Sequence, residues 1–163
     1  MHAKILASTL ASCLAVPVAL TGASLVLLAP AQADAAVSDA TCRIHAVEAT
    51  ETGDGTIPKD LGFLKDQLEA PEFARYKSFR LLESKDFKLT LNTVVEERFK
   101  SGHSVKLSLL GGDKDKLELS TDLMRSGTSL VNMNFSMRSN QIVLIPVRRS
   151  DSMVIFAYQC KAG

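Results

Sequence analysis

The chain contains no tryptophan and only two tyrosines. Sugars and nucleobases are commonly held by stacking on such rings, so their scarcity argues against a carbohydrate or base platform. An excess of charge of one sign is missing as well, with 19 Lys+Arg against 18 Asp+Glu. A balanced surface has no field to gather nucleic acid or an anionic membrane, and neither is expected as a partner. Histidine is sparse. His45 and His103 stand far apart and belong to no HxH, HExxH or Cys-His spacing, which speaks against a zinc centre, and no cofactor is expected. Cysteine numbers three, with no CxxC pair to lower a thiol pKa.

What is present begins with an export pattern. Met1-His2-Ala3-Lys4 is a short basic start, an apolar stretch runs from Ile5 to about Pro30, and Ala31-Gln32-Ala33-Asp34-Ala35 provides small-residue exits after Ala33 or Ala35. Residues 1–33 therefore read as a secretory signal peptide. An uncleaved anchor is the rival, since the apolar stretch is long enough to cross a bilayer. Its Ala, Ser and Thr content, interior Pro17 and cleavage pattern argue for removal, leaving no stable membrane span. Leu10-Ala11-Ser12-Cys13 reads like a lipidation box, but the apolar run before it is very short, so a lipoprotein is the lesser alternative. The expected location is periplasmic or secreted.

Removal of the leader takes Lys4 and Cys13 with it. Cys42 and Cys160 then remain near the two ends of a chain long enough for one domain. In an exported protein such a pair is expected to be a disulfide. A bridge requires α-carbons within about 7 Å, so the first and last strands are expected side by side and antiparallel.

Residues 34–40 read as a flexible lead-in and 41–163 as a single β-rich domain. Thr41 to Ala49 alternates at period two, as a strand does. Pro58 and Asp60 open an amphipathic helix to Glu69, with Leu61, Leu64 and Leu68 at helical spacing and Phe63 widening the stripe. Strands are then expected at 78–83 and 87–91, separated by Ser84-Lys85-Asp86, and at 94–99, 105–109, 117–119 and 131–137. Gly111 to Asp115 is a hairpin link of the longer type. Ile142-Val143-Leu144-Ile145 and Met153 to Ala157 are apolar on both faces and are expected to be central strands, with Pro146 closing the first. The fold class expected is mainly β, an antiparallel sandwich or partly closed barrel of about eight strands with one short N-terminal helix packed on it.

The search for chemistry returns no catalytic constellation. Gly102-His103-Ser104 lacks the second glycine and the helix of a nucleophile elbow and reads as a turn. Asp113 and Asp115 lack the further ligands of a calcium loop and read as turn formers. Met133 and Met137 fall on a buried face as core filling. Two stretches remain as weak binding signals. Asn132, Asn134 and Arg138, with Ser136, form a polar ladder on one strand face, against the plainer reading of a wetted surface. Arg75 and Tyr76 lie in the aromatic-basic stretch Phe73 to Lys77, against the plainer reading of packing beneath the helix.

The run Ile57, Phe63-Leu64, Leu68, Phe73, Tyr76 and Ser78-Phe79-Arg80-Leu81-Leu82 resembles a pattern in uncharacterised secreted bacterial proteins of the myxobacterial type. The resemblance covers about residues 42–160 and implies an early strand, one helix and a β-rich remainder. The chain departs from that pattern in having Ile145-Pro146-Val147 where a glycine-rich final hairpin is expected, and no activity comes with it. The expectation for function is a non-catalytic envelope protein of a Gram-negative bacterium acting as a protein-binding or accessory module. A periplasmic enzyme inhibitor presenting Gly111 to Asp115 is the alternative, followed by a hydrolase with a dispersed carboxylate site.

Overall fold

The computed structural model describes residues 36–150 and 152–163. The leader, its cleavage sites and Cys13 lie outside the described residues. Eight strands run β1 Asp39–Thr50, β2 Ser78–Thr90, β3 Val94–Arg98, β4 His103–Gly112, β5 Lys116–Arg125, β6 Thr128–Arg138, β7 Ile142–Arg148 and β8 Ser152–Ala162. They form two antiparallel four-stranded sheets, ordered β2-β1-β8-β7 and β3-β4-β5-β6. The result is a sandwich rather than a closed barrel. Chain order is kept around it, and the first and last strands close the first sheet in register from Ala40–Ala162 to Thr50–Ser152.

Alternation explains the core. Cys42, Ile44 and Ala46 from β1 and Val154, Phe156 and Tyr158 from β8 meet Val105, Leu107, Leu109, Leu117, Leu119 and Leu123 of the second sheet. Inside this layer the Thr121 and Tyr158 hydroxyls lie 3.0 Å apart across the two sheets, so both buried polar groups are satisfied. The opposite face of the first sheet carries a second apolar layer. Val47, Ala49, Phe79, Met153, Ile155 and Ala157 are covered there by Leu61, Leu64, Leu68, Phe73 and Tyr76.

That cover departs from the helix expected over residues 58–69. Lys59–Leu64 is a 3-10 helix, a single α turn (α1, Lys65–Leu68) follows, and Pro71–Phe73 is again 3-10. The tighter winding still seats Leu61, Leu64 and Leu68 on the sheet, whereas Phe63 is 42% exposed. Gly62 weakens intrinsic helix preference, so contact with the sheet rather than propensity sets the local geometry.

Other expectations change with their neighbours. Residues 37–40 are not a flexible lead-in, because β1 begins at Asp39 and buried Val37 donates its N–H to the Gly112 carbonyl. Ser84-Lys85-Asp86 is strand, not turn: β1 is long enough to pair with all of β2, and a bulge at Leu82 resets the alternation. The β7 strand is an edge, not a centre. Its two apolar faces arise because one meets the sandwich interior and the other the helical cover, while Pro146 suits an edge. Met137 is buried but Met133 is 40% exposed, since β6 is also an edge strand.

Candidate functional site

The edge of the first sheet carries a groove where the cover ends. The chain turns through Pro71–Phe73 and donates the Tyr76 N–H to the Phe73 carbonyl, 2.8 Å away. This places both rings over the outward face of β7 and β8. Phe73, Tyr76, Leu144, Pro146 and Met153 form an apolar floor, and Glu72, Arg75 and Arg148 stand at its rim, enclosing about 380 Å³. Phe73 and Tyr76 are each 5% exposed, so the plainer packing reading holds for most of both rings.

Arg75 is the most constrained charge of the rim. Its guanidinium donates to the Tyr76 hydroxyl, lies 4.7 Å above the Tyr76 ring centre and stands 3.5 Å from Glu51. The hydroxyl contact first, then the nearby charges, holds its pKa above the ordinary arginine value. Arg148, at the far rim, is exposed. Concave shape, an apolar floor and a few fixed polar groups are the usual ingredients of a recognition site.

A second depression, of about 400 Å³, lies over β1, β2 and β8 near the disulfide. It is polar. Arg43 there is occupied by Asp86, donating from Nε at 2.6 Å and from Nη2 at 2.9 Å. The pairing raises the Arg43 pKa and lowers that of Asp86.

Of the residues singled out from sequence, Arg75 and Tyr76 come together at the groove. Asn132, Asn134 and Arg138 are exposed on the outward face of β6, in the other sheet, and do not join it. Cys42 and Cys160 are directly opposed on β1 and β8 and form a disulfide, with α-carbons 4.0 Å apart. The pairing is compatible with export. Gly111 to Asp115 contains a three-residue hairpin tip whose Asp113 carboxylate accepts from the Asp115 and Lys116 N–H groups, both at 2.8 Å. Those bonds lower the Asp113 pKa and make the loop short and rigid.

His45 and His103 are both buried. His45 is covered by Phe63, with ring centres 4.5 Å apart, and Ser84 Oγ lies 2.7 Å from its Nδ1. Burial first, then nearby Arg43, lowers its pKa. His103 is no turn residue but the first inward residue of β4, packed edge-on against Phe156. Burial, then Arg149 and Arg125, lowers its pKa to about 4. The signal was available in sequence: His103 has the same parity as Val105, Leu107 and Leu109. Leu144, Pro146, Met153 and Arg148 of the groove carried no such signal, because only the docking of the cover onto β7 brings them together.

Among the described residues no group of three or more His, Cys, Asp or Glu is placed to hold a metal ion. No helix among them is long and apolar enough to cross a membrane. Comparison with family models, curated proteins and solved structures finds no match to this chain. The fold and groove define it as a two-sheet antiparallel β-sandwich with a helical cover on one sheet.

Proposed function

We propose that the chain is an exported, non-catalytic envelope module that binds another protein through the groove between the helical cover and β7. The observation that carries this reading is the groove's make-up: an apolar floor of Phe73, Tyr76, Leu144, Pro146 and Met153 with Arg75 and Arg148 at its rim. Aromatic and arginine side chains in a concavity are typical anchors of protein interfaces. The disulfide between the chain's extremities and the amino-terminal export pattern support a periplasmic or secreted location. The resemblance to secreted bacterial proteins points to the same compartment.

The test uses purified domain immobilised against envelope extract, beside two groove variants, Arg148→Glu and Leu144→Arg. Capture of a defined partner by the wild type and its loss in both variants is the expected result. Equal capture by all three, or turnover of a hydrolase substrate by the wild type, overturns the reading.

A further inference from the structure

Four strands lie at sheet edges, β2 and β7 in the first sheet and β3 and β6 in the second. An edge strand presents a row of unpaired N–H and C=O groups, and proteins blunt such rows with charge, proline or short length. Three of the four edges follow this rule. β2 carries Arg80, Glu83, Lys85, Asp86 and Lys88 along its length, β3 is short and holds Glu96, Glu97 and Arg98, and β7 contains Pro146. β6 does not follow it. From Thr128 to Met137 it has neither a charge nor a proline. Its single bulge, at Leu130, lies near one end and leaves Val131 to Arg138 in regular register with β5.

The open edge has a definite hydrogen-bonding pattern. Arg138 turns both backbone groups away from β5: its N–H donates to the Gln141 side-chain oxygen at 3.3 Å, and its carbonyl accepts from the Gln141 N–H at 3.0 Å. Every second residue of an antiparallel strand points the same way, so the backbone groups of Ser136, Asn134 and Asn132 also face outward. Among the described residues no strand or loop meets them. The apolar row beside them is unsealed as well. Leu117, Leu119, Thr121 and Leu123 of β5 are buried, whereas their β6 neighbours Val131 and Phe135 are only half-buried and Met133 is 40% exposed.

A strand added here completes both rows at once, and β6 is complementary to its own copy. Antiparallel pairing about a two-fold axis at Met133 sets Asn132 opposite Asn134 of the second copy and Val131 opposite Phe135. The outward backbone groups of the two asparagines then meet, as a hydrogen-bonded pair of the ladder requires. Met133 meets its own copy where cross-strand side chains lie closest, and the one charge, Arg138, falls near Thr128, so no like charges are opposed. We propose that two copies of the chain associate through β6 in this register, continuing the second sheet from one molecule into the next. Such a contact is isologous and closes on itself. It is separate from the groove, so failure of either leaves the other standing.

The experiment follows the mass of the full chain, produced through an export pathway so that its disulfide forms, by sedimentation velocity from micromolar to millimolar concentration. A reversible monomer–dimer equilibrium is expected. Met133→Lys places a charge where edge strands use one for protection, and is expected to weaken the dimer about tenfold or more. Asn134→Pro removes an outward N–H that makes no bond within the chain, and is expected to act likewise. Val94→Lys, at an exposed apolar residue of the β3 edge, is expected to change nothing. Met133→Cys is expected to yield a disulfide-linked dimer on mild oxidation, since α-carbons about 4.5 Å apart at such a pair are within bridging reach. If Met133→Lys does not fold, Asn134→Pro and the cysteine variant decide. A monomer at every concentration, which would leave the edge to a strand of another protein, overturns the proposal. So does a dimer that both β6 variants leave intact, one lost in Val94→Lys or in the groove variant Leu144→Arg instead, or the absence of a cross-link at Met133.

Discussion

At the scale of single residues, buried polar groups decide how the protein responds to its medium. His103 has a native pKa of about 4, below the ordinary 6.5. Between those values the unfolded chain takes up a proton that the native ring refuses, so stability declines as pH falls through this window. Above about pH 6.5 the contribution is fully present. By about pH 4 the accumulated loss is about 3 kcal/mol, because each tenfold rise in proton activity across the window costs about 1.36 kcal/mol. His45 is lowered as well and acts in the same direction. Urea unfolding at pH 7.5, 5.5 and 4.5 is expected to show the decline, and His103→Leu to flatten it; a wild-type profile level from pH 7.5 to 4.5 would falsify the assignment.

Tyr158 offers a second measurement at this scale. Desolvation lifts its pKa to about 12, and Thr121 satisfies its hydroxyl. Thr121→Val strands that hydroxyl in the core and is expected to cost about 1–3 kcal/mol. Adding Tyr158→Phe removes the stranded group, so the double variant is expected to be less destabilised than the sum of the singles. Additive losses in a double-mutant cycle would mean the hydroxyls do not interact.

At the scale of elements, two glycines make opposite demands. Gly112 leaves the β4–β5 hairpin at φ 120°, and a Cβ there would stand 2.2 Å from the Lys116 carbonyl oxygen. Gly112→Ala is expected to lower the denaturant midpoint markedly, with about 1–3 kcal/mol lost. Gly62 lies in the 3-10 helix with open space where a Cβ would go. Gly62→Ala is expected to stabilise by about 0.5–1 kcal/mol through the unfolded chain. If both shifts came out with the same sign, the conformational argument would be wrong. Element boundaries also show where sequence patterns run out. Alternation marks β1, β4 and β5 plainly, because their apolar residues face one core. Ser84-Lys85-Asp86 looked like a turn because its side chains meet partners on other strands: Ser84 lies on His45, Asp86 pairs with Arg43, and Lys85 with Glu97. Local polarity cannot distinguish a turn from a strand whose polar residues are matched across the sheet.

At the scale of the molecule, closure depends on the first and last strands. β8 lies between β1 and β7, so a chain ending at Arg148 leaves half of the first sheet without its centre. Such a truncation is expected to be unfolded and rapidly digested under limited proteolysis, where the full domain resists; protease resistance of the shortened chain would contradict the strand order. The disulfide reinforces the same closure over a sequence separation of 118 residues. Chain-entropy arguments place its contribution at about 2–4 kcal/mol, with a ceiling near 5. Cys42 and Cys160 are 0% and 1% exposed. Thiol labelling is therefore expected only after reduction in denaturant, and reduction to lower the unfolding midpoint; ready labelling of both sulfurs in the native state would break the picture.

By itself the amino-acid sequence determined the β class, the approximate strands, the hairpin at Gly111–Asp115 and the pairing of Cys42 with Cys160. These follow from side-chain period, turn chemistry and cysteine arithmetic, all of which are local or nearly so. Only the tertiary structure decided that β7 is an edge, that His45 is buried, and that Arg75 and Tyr76 share a groove with residues about seventy to eighty positions further along the chain. The physical reason is that burial belongs to the surface a residue meets. A face apolar enough to be covered can be covered by the opposing sheet or by a short helical segment, and the chain's own periodicity is the same in either case.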